Sequence, residues 1–431
     1  MTTKTVIEPI DSCMDDYDGS LRIAEAQEKI LELITPISDY KTLALRDCLG
    51  QVLAEDIQSP LDVPNHANSA MDGYALRGAD LPTDSKKEFA IAGIAFAGQA
   101  YTGVCQPNTA IRIMTGAALP AGTDTVVMQE KVEVLAEDRI LIGTGSKVGQ
   151  HTRLAGEDIA KGSIVVSAGH RLNAADLGVL ASLGLGELRV RRQPRVVFFS
   201  TGDELRSIGD TLGPGEVYDS NRYSLFSMLS EQGVEIHDLG VVRDDPDALR
   251  ETFRSAMLMG DVVITSGGVS VGEADHIKDI VDELGSIDFW KIAIKPGRPL
   301  AFGKLEGQAG NTLFFGLPGN PVAVMVTFQQ FVVPALHYLA SGKPYRPLIV
   351  DAIAASDLRK RPGRFEFQRG ILAYDDNGRL LVESTGHQGS GILSSMSRAN
   401  CFILLNEDQG PVKAGDLVKV QGFSHVSLHG L

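Results

Sequence analysis

The sequence predicts a multi-domain α/β plus β protein, with a doubly wound, mostly parallel α/β domain flanked by β-rich N-terminal modules and a small C-terminal β-barrel or sandwich. Three observations predict it. Between residues 191 and 342 apolar strand-like runs alternate with helical stretches, the mark of βαβ units and a parallel sheet. On either side of that block the texture changes to short β-type runs divided by Gly and Pro. The chain has 431 residues, more than one core usually organises, since domains take roughly 100–200.

In chain order, residues 21–34 read as an amphipathic helix, with Ile23, Ala26, Ile30 and Leu33 on one stripe suited to packing or dimerisation. Residues 1–60 with 150–190 form an expected N-terminal helix and elongated β-rich linker or dimerisation module. Residues 61–149 form a β-rich module through runs such as FAIAGIAFAG, AIRIMTGAALPAG and DTVVMQEKVEVL. In the doubly wound domain, 191–342, the expected strands are VVFFS, VEIHDLG, DVVITS, IAIKP and TLFFG. Helices are expected over 223–232, 246–259 and 276–284, and a further helix after GLPGNP closes the domain. The C-terminal β domain, 343–431, begins beyond Gly342-Lys343-Pro344 and contains FEFQRGILAY and RLLVES, joined through DDNG as a hairpin.

Bulk properties exclude several classes. A net charge of −15 argues against a nucleic-acid surface, because phosphate backbones are held mainly by clustered Lys and Arg. An anionic substrate then needs a local basic pocket. The four cysteines, Cys13, Cys48, Cys105 and Cys401, are too scattered for a zinc site or disulfide framework, and they fit reduced thiols in a cytosol. The start, IEPIDSCMDDYDGS, is acidic where a secretory signal is basic and then apolar, so a cytoplasmic location is expected. The run NPVAVMVTFQQFVVPALHYLA is interrupted by Gln329, Gln330 and Pro334, which favours a buried helix over a membrane span.

Open α/β sheets bind ligands beyond the carboxyl ends of their strands. There the sequence sets Thr201-Gly202-Asp203-Glu204, Arg243-Asp244-Asp245 and the loop from Gly267 to Asp275, all expected on one edge. Gly267, Gly268 and Gly272 let backbone N–H groups approach a phosphate, with Ser266 and Ser270 as hydroxyl donors; a tight packing turn has the same composition. Asp203, Glu204, Asp244, Asp245, Glu273 and Asp275 suit a Mg2+ ion, which takes one or two carboxylates plus phosphate oxygens and water. Helix caps or a solvated rim would use the same acids. Lys291, Lys295 and Arg298 imply either a charged ligand or structural ion pairs, and strand alternation sets Lys291 and Lys295 on one face. GLPGNPV presents Pro318, Gly319, Asn320 and Pro321 at a helix entrance, where Asn can cap and exposed N–H groups can meet an anion.

Taken together, NSAMDGYAL, RIMTGAALPAG, GEDI, FSTGDEL, TSGGVSVGEAD, FWKIAIKPGRP, GLPGNPV, FQRG and HQGSGILSSM resemble the molybdopterin molybdenumtransferases, the MoeA and gephyrin E-domain family. The resemblance spans residues 67–399 in the family's order. It implies a transferase that combines adenylylated molybdopterin with molybdate, aided by Mg2+, to give molybdenum cofactor and AMP. Carried over by motif, the functional residues are Asp72, Thr115, Asp158, Glu204, Asp244, Asp275, Lys291, Lys295, Pro318, Pro321, Arg369 and Ser390. Glu204 and Asp275, with Asp244 further out, are expected to place Mg2+ and water. Lys291 and Lys295 are expected to hold molybdate or the pterin phosphate, and Arg369 and Ser390 to bond an oxyanion or the pterin edge. The family implies a homodimer with sites near the subunit junction, so a second subunit is expected to donate Asp72 and Thr115. Transient contact with a molybdopterin adenylyltransferase is the expected partnership. Two other functions fit parts of the pattern: adenylylation of molybdopterin, and a non-catalytic scaffold.

Overall fold

The computed structural model describes residues 19–268, 276–307 and 310–423. These fall into two units, one drawn from Met1–Asp39 and Arg191–Leu431 and the other from Tyr40–Val190.

The first unit begins with α1 (Ile23–Leu33) and continues through β1 (Arg195–Thr201), α2 (Ser220–Gln232), β2 (Glu235–Val242), α3 (Pro246–Met259) and β3 (Val262–Ser266). Then come α4 (His276–Leu284), β4 (Gly285–Lys291), β5 (Ile294–Lys295), β6 (Pro299–Gly307), β7 (Gly310–Leu317), α5 (Pro321–Thr327) and α6 (Val333–Ser341). A π-helical turn at Phe328–Val332 joins the last two helices. The central sheet has the order β2-β1-β3-β7-β6-β4. Its first four strands pair in parallel, and β6 pairs antiparallel with both β7 and β4.

Alternation along each strand explains why helices cover both faces. Val196 and Phe198 point into one core with Ala26, Leu225, Val322 and Leu336, whereas Val197 and Phe199 join Phe253, Ala256 and Ile280 in the other. The same first core claims α1. The helix expected in the N-terminal module therefore belongs to the α/β body, because its apolar stripe buries Ala26 and Ile30 against that sheet. The helix run Pro321–Ser341 is long and apolar enough to cross a membrane, yet 72% of its most apolar window is buried inside the protein, as a core helix requires.

One expected strand is in a different sheet. Residues of IAIKP form β5, which pairs in parallel with Phe365 and Glu366 and not with the α/β sheet. Strands β8 (Ile349–Ala354), β9 (Phe365–Tyr374), β10 (Leu380–Ser384), β11 (Cys401–Leu405) and β12 (Leu417–Gly422) close into a ring in the order β9-β10-β8-β12-β11, with β11 returning to β9. The C-terminal region is thus a five-stranded barrel, filled by residues such as Leu372, Val382, Ile403 and Val420. A short α7 (Leu393–Arg398) lies between β10 and β11. The DDNG hairpin forms as expected, Tyr374 facing Leu380.

The second unit holds a six-stranded sheet over residues 73–142, with Phe89, Ile111, Val127 and Ile140 among its buried residues. A separate small core gathers Cys48, Leu53, Leu172, Leu180 and Val190. Cys48, Cys105 and Cys401 are all buried free thiols, and Cys13 lies outside the described residues.

The α3–α4 face of the sheet should be sensitive to a cavity. Phe253 is fully buried, with its ring edge-on to Phe199 at 5.2 Å and to Phe314 at 5.6 Å. Phe253→Ala is expected to lower stability by about 3–5 kcal/mol, read from the midpoint of denaturant unfolding.

Candidate functional site

In the second unit Asp72 and Thr115 meet, and strand pairing is the reason. Asp72 directly precedes the strand Gly73–Leu76, Thr115 follows the strand Thr109–Ile113 by two residues, and Gly73 pairs with Ile113. A Cβ at Gly73 would stand 2.1 Å from the Val127 carbonyl oxygen, so only glycine admits the neighbouring strand beside Asp72. Asp72 Oδ1 accepts from the Thr115 amide and from the Thr115 hydroxyl, each at 2.7 Å. The amide, the hydroxyl and nearby Arg112 together hold the Asp72 carboxyl below the usual carboxylate range. Asp158 lies in the same unit, exposed, with its amide donating to the Val63 carbonyl.

In the first unit the loops after β1, β2, β3 and β7 converge on one sheet edge. The Asp244 amide reaches Asp203 Oδ1 at 3.4 Å, linking the β1 and β2 loops. A side chain at Gly267 (φ +91°) would put its Cβ 2.6 Å from the Thr201 carbonyl oxygen, so glycine there lets the β3 loop approach β1. Gly268 (φ +65°) is equally confined, by Ile277 at 2.3 Å. The Gly267 amide donates to Leu317 O at 3.1 Å, which brings in the end of β7. Glu204 and Asp244 are exposed on this rim, while Asp245 is occupied in capping α3 through the Ala248 amide. Ser270 and Asp275 lie outside the described residues. Among the described residues no group of three or more His, Cys, Asp or Glu could hold a metal ion. Mg2+ needs only one or two carboxylates from a protein, and Glu204 and Asp244 stand exposed on loops that the Asp244–Asp203 bond joins.

Residues the sequence reading missed hold this edge together. Asn221, in the first turn of α2, donates through Nδ2 to Ser266 Oγ at 2.9 Å and to Gly319 O at 2.8 Å. Asp219 caps the same helix through the Arg222 amide and is 3% exposed. Asp219 Oδ2, Asn221 Oδ1 and Ser200 Oγ are buried without a partner among the described residues. The Asp-Ser-Asn signal was present in sequence, and it reads locally as no more than a helix cap.

The cationic residues are arranged differently from the expectation. Lys291 ends β4 and Lys295 lies on β5, so the two are on strands of separate sheets and alternation does not relate them. The break comes where Ile292 N turns back to bond Arg298 O at 2.7 Å. Gly297 (φ +105°) then brings the segment against α5, since a Cβ there would stand 2.7 Å from Thr327 Cγ2. Pro321 opens α5, Pro318 is buried, and Asn320 occupies the cap position with no side-chain cap bond. The Val322 amide donates to Ser390 O at 3.0 Å, so this helix N–H is already taken.

Arg369, expected to bond an oxyanion or the pterin edge, is buried. It lies inside β9, 1% exposed, where Nε donates to Ser395 Oγ at 3.0 Å and Nη2 to Gly389 O at 2.9 Å. Burial lowers its pKa to about 10, which still leaves it charged near neutral pH. Its guanidinium therefore holds the loop that carries Ser390. Its side chain bonds this loop, not an exposed ligand edge.

Two measurements check these contacts. Thr115→Val removes one of the donors that stabilise the charged form of Asp72, so the Asp72 pKa in a carboxyl NMR titration is expected to rise towards the ordinary value, held back by the remaining amide. Arg369→Ala is expected to cost about 2–4 kcal/mol and to make the segment around Gly389 newly sensitive to limited proteolysis.

Comparison with known proteins agrees with this architecture. Residues 21–184 match the MoeA N-terminal region (domain I and II), residues 198–338 a probable molybdopterin binding domain, and residues 351–423 the MoeA C-terminal region (domain IV). A Haemophilus influenzae protein named molybdopterin molybdenumtransferase is 42% identical over 94% of this chain and 99% of its own length. Gephyrin from Dictyostelium discoideum is 32% identical over 92% of this chain and 61% of its own. The crystal structure of the molybdopterin biosynthesis moeA protein from Pyrococcus horikoshii superposes with a TM-score of 0.81 at 29% identity, covering 94% of this chain and all of that one. With three successive regional matches and a relative aligned almost end to end, the chain belongs to the MoeA family of molybdopterin molybdenumtransferases.

Proposed function

We propose that the chain is an Mg2+-assisted transferase that takes molybdate and adenylylated molybdopterin, cleaves the phosphoanhydride, releases AMP and yields molybdenum cofactor. The observation that carries the reading is the convergence of glycine-bearing and acid-bearing loops on one sheet edge, continuous through Gly319 with the helix entrance that bonds Ser390.

Gly267, Gly268 and Ser270 would cradle a phosphate of the substrate through backbone N–H and hydroxyl donors. Glu204 and Asp275 would hold Mg2+, with Asp244 orienting water. When bound, that ion offsets negative charge on the phosphoanhydride. Lys291, Lys295 and Arg298 would hold the oxyanion and the pterin phosphate, and Arg369 would act by presenting Ser390. Pro318 and Pro321 would shape the helix entrance, and Asp158 would contribute a substrate contact. In a homodimer, a second subunit would donate the Asp72–Thr115 pair. A cytoplasmic location and transient delivery of substrate by a molybdopterin adenylyltransferase complete the proposal.

Its test is AMP release from purified protein supplied with adenylylated molybdopterin, Mg2+ and molybdate. Release is expected only when molybdate is present, and Asp275→Asn and Lys291→Ala are each expected to slow it by roughly 10²-fold. Wild-type rates in both variants would remove the site from consideration.

A further inference from the structure

Glu366 is a buried acid beside Lys295, one of the cations of this site. Its residue is 7% exposed and stands opposite Lys295 in the β5–β9 register. Oε1 lies 3.9 Å from Lys295 Nζ, and Oε2 accepts from Gln368 Nε2 at 3.1 Å. A second cation shares the carboxylate's field. Lys360 is 4% exposed, and its ammonium donates to the Arg361 and Arg364 carbonyls, each at 2.7 Å. Burial lowers the Lys360 pKa, Glu366 and Glu407 oppose that shift, and Lys295 and Arg364 add to it, so Lys360 senses all four charges.

Two carboxylates, Glu366 and Glu407, thus stand against three cations, Lys295, Lys360 and Arg364, which leaves a surplus positive charge. Lys360 is buried and fastened to carbonyls, so its position is fixed. Lys295 is different: its side chain is 40% exposed and its contact with Glu366 is at the long end for an ion pair. Its ammonium can therefore turn to a new anion without unfolding anything.

We propose that Glu366 is a resident counter-ion of Lys295 which an incoming oxyanion displaces, so that the carboxylate sets how tightly the anion is held. The inference rests on the reading that Lys295 contacts the oxyanion. Anion and carboxylate compete for one ammonium and repel each other, so Glu366 weakens anion binding and speeds its exchange. It acts on the anion through Lys295, and is a positioning residue.

The test is calorimetric titration of the full chain with sodium molybdate, without pterin. Glu366→Gln keeps the shape and an acceptor for Gln368 while removing the charge, and it is expected to bind molybdate about fivefold more tightly. Glu366→Asp keeps the charge and should stay within about twofold of wild type. In a Lys295→Ala background, Glu366→Gln should bring no further tightening. Unchanged or weaker binding by folded Glu366→Gln, or equal tightening with and without Lys295, overturns the proposal. Wild-type affinity in Lys295→Ala alone overturns the underlying reading of Lys295, a separate and distinguishable failure. A crystal of the unmodified protein with molybdate needs no variant to fold: the Lys295–Glu366 separation should lengthen by ~1 Å or more from its resting 3.9 Å, with the ammonium on the anion. An intact pair with the anion bound elsewhere would also overturn it.

Discussion

The in-register parallel pairing of β1, β3 and β7 is the constraint on which the rest of the first unit depends. Ser200 faces Ser266, and Ser266 faces Leu317, so three strands end level with one another. Parallel strands must all release their loops at the same edge. The acids after β1 and β2, the glycines after β3 and the proline-rich turn after β7 therefore share one rim, though they are far apart in sequence. Asn221 secures that arrangement by bonding two of the loops from a helix that belongs to neither.

The short strand β5 does the corresponding work for the cations. It leaves the α/β sheet after Lys291 and adds to the barrel beside Glu366, so Lys295 is carried by the C-terminal domain's own strand pairing. The barrel in turn supplies Arg369, whose buried guanidinium anchors the loop bearing Ser390. A barrel that looks peripheral in sequence thus positions both Lys295 and the loop bearing Ser390. Rigid strands carry the charged groups more firmly than free loops would, as the proposed oxyanion site requires.

Much of this was legible locally. The strands VVFFS, DVVITS and TLFFG, the helices after them and the DDNG hairpin appear where apolar periodicity and turn chemistry put them, because these signals act over a few residues. The meeting of Asp72 with Thr115 needed strand pairing as well as motif resemblance, and Gly73 is the residue that permits it. Where the reading departed from the structure, a distant partner decided. IAIKP has strand character, and nothing within it says which sheet it joins; α1 has an apolar stripe, and nothing within it says which core it covers.

By itself the sequence determined the fold class, the family and the identity of the chemical groups, since these follow from periodicity, from glycine and proline punctuation and from motifs read in order. Only the tertiary structure decided how those groups are employed. Arg369 is buried and anchors a loop, Asn320 makes no side-chain cap bond, Lys291 and Lys295 part company, and Glu366 comes to face Lys295. The physical reason is common to all four: a side chain's partner is set by which distant backbone segment packs beside it, and local propensity carries no information about that choice.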